Sequence, residues 1–223
     1  PILIEKDNEG KKIIKLQSAK ELMQEGYLNA SKWFTNVENT WQIHRTEKNH
    51  NISSENYLNW QNKLTQQNLN AKYSVIYNMS GKDAYAVVMD RDDYKLEFIF
   101  DYTTFRAELN NQKEAFYLSA ILNSSVPNLL MKNFQSKGLF GARHVSKKIL
   151  DIYFPRFDEN NETHIKLAQL SEQAHTKAKQ YLETNPPQQE LSAIHLGRLR
   201  VAIKKHLSDE MKEIDKLVKK VVG

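Results

Sequence analysis

The chain has 223 residues, 40% of them hydrophobic and 10% aromatic, which suits one sizeable core or two small ones and excludes a disordered polymer. It has no cysteine, which excludes disulfides and thiolate metal sites and fits a reducing, cytoplasmic setting. A count of 32 Lys and Arg against 27 Asp and Glu gives a net charge of +5, a mild bias toward a polyanionic partner. No run of about 18 apolar residues is present to span a membrane.

The opening PILIEKDNEG has neither the basic nor the apolar region of a secretion signal and no initiating Met, so it reads as a cut from a longer protein. Ser18 followed by Glu21 is a capping box that starts a helix, which Gly26 stops. Trp33, Val37 and Trp41 recur every four positions with Phe34 alongside, a helical stripe expected to face the core. Asn56 to Gln67, with Tyr57, Trp60 and Leu64, reads as a further helix.

The period then changes to two. KYSVIYNM, AYAVVMD and KLEFIFD are β-branched and aromatic runs separated by SGKD and RDDY, which predicts a three-stranded antiparallel meander, extended by TTFRAEL. KEAFYLSAILNS returns to helical spacing, and Pro127 suits the first turn of the next helix. KILDIYFPRF reads as a strand ending at Pro155. A long helix follows from about Thr163 to Leu182, NPPQQ breaks it, and two amphipathic helices close the chain. The expected class is α+β, a small antiparallel sheet flanked by helices. The expected boundary falls at Asn185 to Gln188, with a helical N-terminal segment over residues 1–70 and a mixed body over 71–184 before it, and a helical tail over 185–223 after it.

The segment KGLFGARHVSKKI, Lys137 to Ile149, carries two glycines three apart and then Arg143, His144, Lys147 and Lys148. A phosphate cradle needs its glycines between a strand and a helix start, and this one follows a helix and lacks the Gly-Lys-Ser/Thr ending. Two readings stay open: a DNA-facing loop, in which Arg143 offers a planar fork to a guanine edge or phosphate, and a solvated basic loop anchored by Leu139 and Phe140. Asp83 with Asp93 and Lys95 could hold a hard cation for a nuclease. The other alternative is a protein-interaction module without catalysis. NPPQ, Asn185 to Gln188, lacks the aromatic that follows Asn-Pro-Pro in enzymes that methylate an exocyclic amine, so it reads as a linker.

Taken in order, EAFYLSAILNSS, KGLFGARHVSKKIL and DIYFPRFDENNETHIKLAQLSEQAH resemble the C-terminal specificity region of adenine-specific DNA methyltransferases of restriction-modification systems. WQNKLTQQN, VIYNMSG and FIFDYTTFRAE are similar to the same family, so the resemblance runs from about Trp33 to His175. The related regions are the TaqI-like target-recognition domain of type II and type IIG-like enzymes and, more distantly, type I specificity subunits. The resemblance implies that residues 1–184 are a target-recognition domain and that the chain reads double-stranded DNA. It implies no cofactor in this fragment and no catalysis by it. S-adenosylmethionine would belong to an upstream methyltransferase domain of the same chain, in a parent enzyme that some family members join to a nuclease. The DNA-binding residues expected are Lys137, Gly138, Gly141, Arg143, His144, Lys147 and Lys148 on the loop, with Asn78, Ser80 and Lys82 at the hairpin tip.

Overall fold

The structure is a computed structural model that describes residues 2–101, 103–138, 141–142, 144–145, 148–188 and 190–222. It has the α+β composition expected, and its contacts divide it into two units, Pro1–Asn70 with Leu96–Tyr102, and Ala71–Lys95 with Thr103–Gly223.

The first unit opens with an antiparallel hairpin, β1 (Ile2–Lys6) and β2 (Lys12–Leu16), turned at Gly10 with φ +78°. Helix α1 (Ala19–Gln24) starts at the Ser18–Glu21 capping box, and Gly26 leaves it at φ +88°. Helix α2 (Leu28–His44) packs on α1 through Ser31, whose hydroxyl donates to Ala19 O at 2.7 Å. The aromatic stripe of α2 is not core: Trp33 is 60% exposed, and Trp41 is tied at the rim by its indole N–H to Ile52 O at 2.8 Å.

The helix expected over Asn56 to Gln67 is cut short. Helix α3 covers only Ser54–Leu58, and a 3-10 turn at Trp60–Asn62 has Gln61 and Asn62 at φ 55° and 59°. Buried Asn59 is the cause, because its side-chain oxygen accepts from the N–H groups of Leu64 and Thr65 in place of helical carbonyls. KLEFIFD also departs from expectation. Most of it belongs to this unit: the Gln67 amide pairs both ways with the Phe100 backbone, and the Lys12 ammonium pairs with the Glu97 carboxylate.

In the second unit β3 (Tyr73–Asn78) is central, with β4 (Ala86–Asp90) and β5 (Thr104–Leu109) antiparallel on either side. TTFRAEL, not KLEFIFD, is thus the third strand, and the sheet order β4-β3-β5 is not a meander. Helix α4 (Gln112–Asn123) lies over the sheet, with Ala115 and Leu122 facing Val75 and Tyr77. Its other side, Tyr117, Ala120 and Ile121, meets α6 (Glu162–Thr184) and α8 (Ser208–Val222). A middle layer must be apolar all round, which explains why six of its twelve residues are buried.

Helix α5 (Ser125–Met131) is capped by Ser124 and by Asp215 of α8, whose carboxylate accepts from Ser125 N–H at 2.8 Å. The 185–223 segment is therefore no separate tail: Ile214 and Val218 of α8 are buried in the α4–α6 core, and the expected boundary falls inside the second unit. The Lys177 ammonium of α6 pairs with Glu210 and holds its carboxyl below the usual range. Asn185 ends α6 by donating to Tyr181 O at 3.0 Å, a capping role consistent with NPPQ as a helix break before α7 (Ala193–His206). KILDIYFPRF forms no strand: Lys148–Asp151 is a 3-10 turn, and the rest runs as coil held by Tyr117 Oη donating to Pro155 O at 2.8 Å. Burial pushes the Tyr117 hydroxyl up to about 12.

The free side of β4 is closed by side chains. At alternating positions Ala84, Ala86 and Val88, the backbone N–H groups donate to Asn128 Oδ1 at 2.7 Å, Asn123 Oδ1 at 2.9 Å and His175 Nε2 at 3.1 Å. Three helices thereby supply what a fourth strand would. In His175 the Nδ1–H donates to Ser171 O at 2.7 Å, which leaves Nε2 as the acceptor. His164 Nδ1 likewise accepts from Asp158 N–H at 3.1 Å, against the Tyr117 ring.

Burial lowers the pKa of both histidines, opposed at His175 by the Ser171 carbonyl and Glu172 and at His164 by Asp158. The unfolded chain then binds protons more readily, so this stability is full above the ordinary value of 6.5 and lost as pH falls through the depressed folded values. The thermal midpoint of this unit is expected to be level from about pH 8 to 7 and to fall below about pH 6.5, with a shallower fall for His175→Gln. A midpoint that rises on mild acidification would contradict this assignment.

Candidate nucleic-acid interface

The second unit also holds the charge. Its residues include 23 Lys and Arg against 17 Asp and Glu, whereas the first unit has 9 against 10, so the excess positive charge lies entirely in one unit. Within it, Lys132 to Lys148 contains five cations and no acid. Asp83 neutralises one of them, Lys132, at 2.9 Å.

Two of the expected segments, about sixty residues apart in sequence, come together here. Beyond its pairing with β4 and β5, the chain of β3 continues to Ser80, which bridges antiparallel to His144, while Val145 N–H donates to Met79 O at 3.0 Å. Gln135, 4% exposed, reaches under the same turn and donates to Gly81 O at 3.1 Å and Lys82 O at 3.4 Å. Val145 and Ile149 are buried in the core between the sheet and α4, so the segment is pinned from below at both ends while His144 and Lys148 stay exposed.

The turn itself is built by Asn78. Its amide donates to Ser80 O at 2.8 Å and Asp83 O at 3.1 Å, and its oxygen accepts from Tyr85 N–H at 2.7 Å. Gly81 sits at φ +146°, and a Cβ there would lie 2.8 Å from Asn78 Nδ2, so glycine is required. The sequence expectation places Asn78 against DNA. These hydrogen bonds use both amide hydrogens of Asn78 inside the turn, so its side chain shapes the tip. Ser80 and Lys82 are exposed on that tip.

The glycines of GLFG belong to a hairpin. Strands β6 (Lys137–Gly138) and β7 (Gly141–Ala142) pair antiparallel, with Gly138 opposite Gly141 and Lys137 opposite Ala142. Among the described residues no helix begins there to supply the amides and dipole a phosphate cradle depends on. Lys148 pairs with Asp151 at 3.6 Å and lies 6.0 Å from the Phe134 ring centroid. Such an exposed pair is weak and leaves the ammonium available. Arg143 and Lys147 lie outside the described residues, as do Leu139 and Phe140.

Asp83 and Asp93 do not form a cation site. They flank β4 at its two ends, and the strand alone separates them by about 13 Å, while Asp83 is engaged by Lys132. Sequence reasoning missed Gln135 and Lys132, because nothing local distinguishes them from neighbouring polar residues; their roles come from contacts with the 81–83 turn. Among the described residues no helix is long and apolar enough to cross a membrane. No family model, curated protein or solved structure matches this chain.

Proposed function

We propose that the chain is a sequence-specific recognition module for double-stranded DNA, acting as the target-recognition region of an adenine-specific, S-adenosylmethionine-dependent methyltransferase of a restriction-modification system. The observation that carries this reading is the junction of the 78–82 turn with the 135–148 segment, which gathers Ser80, Lys82, His144 and Lys148 on one exposed surface of the basic unit. In this role, lysines fix register on phosphates and the β6–β7 hairpin enters a groove, where a two-stranded ribbon fits and a few side chains read base edges. Buried Gln135 and Val145 at the two ends of the segment limit the freedom lost on binding. Methyl transfer and its cofactor belong, in this proposal, to a separate domain of the parent protein.

The test is fluorescence anisotropy of the chain with a labelled random-sequence duplex over a salt series, followed by selection of bound sequences. Log affinity is expected to fall linearly with log salt, and Arg143→Ala is expected to cost about 1 to 3 kcal/mol on the selected sequence and to relax preference at one position. Absence of salt-dependent binding, or an Arg143→Ala variant with unchanged affinity and preference, would overturn the reading.

A further inference from the structure

Helix α7 has no buried residue, although it is fourteen residues long. Its inner side is made by half-buried Leu196, Leu199 and Ile203. At 100° per residue, the outward side places Ile194, Gly197 and Val201 in one stripe, with Arg198 and Lys205 on one flank and Arg200 and Lys204 on the other. Ile194 and Val201 are 68% and 69% exposed. A stripe at i, i+3 and i+7 is the spacing of a helix-packing seam, left open here.

Gly197 is the second observation. A glycine inside a helix costs about 1 kcal/mol relative to alanine, and this one has no positive φ to justify it. A Cβ added there would meet nothing within 4 Å, so no neighbour within the fold excludes a side chain. A small residue between two exposed apolar ones lets a second helix approach closely, backbone to backbone. The flanking charge narrows the choice of occupant. Helix α7 contains no acidic residue, and none of Arg198, Arg200, Lys204 and Lys205 is in an ion pair among the described residues. A sugar–phosphate backbone would satisfy the cations but would leave Ile194 and Val201 with nothing apolar to cover them. The same face of a second copy would bring like charges together.

We infer that the outer face of α7 docks an amphipathic helix of a protein partner, whose apolar stripe crosses at Gly197 and whose Asp or Glu flanks pair with Arg198, Lys205, Arg200 and Lys204. This inference is independent of the DNA reading, since it uses a different surface and a different chemistry.

The experiment titrates the full chain into two fluorescent synthetic helices of about 20 residues, long enough to be helical in water. One has a Leu/Ala stripe flanked by glutamates, and the other has lysines in their place. Saturable binding of the glutamate helix is expected, at least tenfold tighter than the lysine helix and weaker at high salt. Gly197→Leu is expected to weaken it about tenfold or more by blocking the crossing. The combined Arg198→Glu, Arg200→Glu, Lys204→Glu, Lys205→Glu variant is expected to exchange the preference for the lysine helix. Because all five positions lie on the outward side and its flanks, circular dichroism should be unchanged in both variants. The inference fails if the glutamate helix does not bind, or if Gly197→Leu and the charge reversal leave its affinity unchanged. It also fails if the reversal instead abolishes duplex binding, which makes the face a phosphate track, or if Gly197→Leu dissolves a dimer of the chain, which makes the occupant a second copy.

Discussion

Replacing Lys137, Arg143, Lys147 and Lys148 together by alanine is expected to flatten the log–log salt dependence of duplex binding by about three to four units and to weaken binding at moderate salt more than about 100-fold. The reason is the release of one condensed counterion for nearly every phosphate that a cation neutralises. These four residues are four of the five cations in the acid-free stretch from Lys132 to Lys148, and the fifth, Lys132, is already paired with Asp83. The control is an equal loss of charge from the first unit: Lys6, Lys20, Lys32 and Lys48 replaced by alanine, which is expected to move the slope by less than about half a unit. An equal response of the two quadruple variants would show that net charge alone drives binding, and would remove the loop from the interface.

The largest effect on folding is expected at Asn128. Its side chain is 5% exposed, accepts from Ala84 N–H at 2.7 Å and donates to Leu122 O and Ser124 O at 3.0 and 2.8 Å. It joins the entry of β4, the end of α4 and the start of α5 by one amide. Asn128→Ala strands the buried Ala84 donor and takes a donor from each of two carbonyls, an unsatisfied buried group being worth about 1 to 3 kcal/mol, so a loss of about 2 to 5 kcal/mol is expected in urea unfolding. Leu129→Ala on the same helix, at a side chain 60% exposed, is expected to stay within about 0.5 kcal/mol of the parent. The transition is best followed by circular dichroism, since Trp33, Trp41 and Trp60 all lie in the first unit and report on that unit. A loss under about 1 kcal/mol for Asn128→Ala would mean that water or a backbone shift satisfies the Ala84 amide.

What the sequence disclosed was whatever is decided within one turn or one strand. The Ser18–Glu21 box, the run of α6 to the Asn-Pro-Pro break, the helix α4 and the runs that became β3 and β4 all carry their signals in neighbouring residues. The opening hairpin, a glycine turn at Asp7 to Lys11 between two short apolar runs, is a local signal that runs against the helical expectation for residues 1–70. KLEFIFD and KILDIYFPRF misled for the opposite reason: both have the alternation of a strand, yet their backbone partners, Gln67 for one and Tyr117 for the other, lie far away in the chain. Asn59 likewise ended a helix by a side-chain capture that no propensity reports. For the interface, residue types pointed to the two segments, but their meeting at Ser80 and His144 is a tertiary fact. The dual role of Asn78, polar and near the tip yet occupied by its own turn, could be seen only in the hydrogen bonds.

Gln135 below the turn and Val145 in the core anchor the two feet of this segment, through bonds to the 79–82 turn and packing in the core. The support thus comes from outside the segment that it holds. Such an arrangement separates inheritance of the scaffold from inheritance of the segment it carries. In the proposed DNA-reading role, a short cassette can be exchanged while its anchors and the fold stay the same.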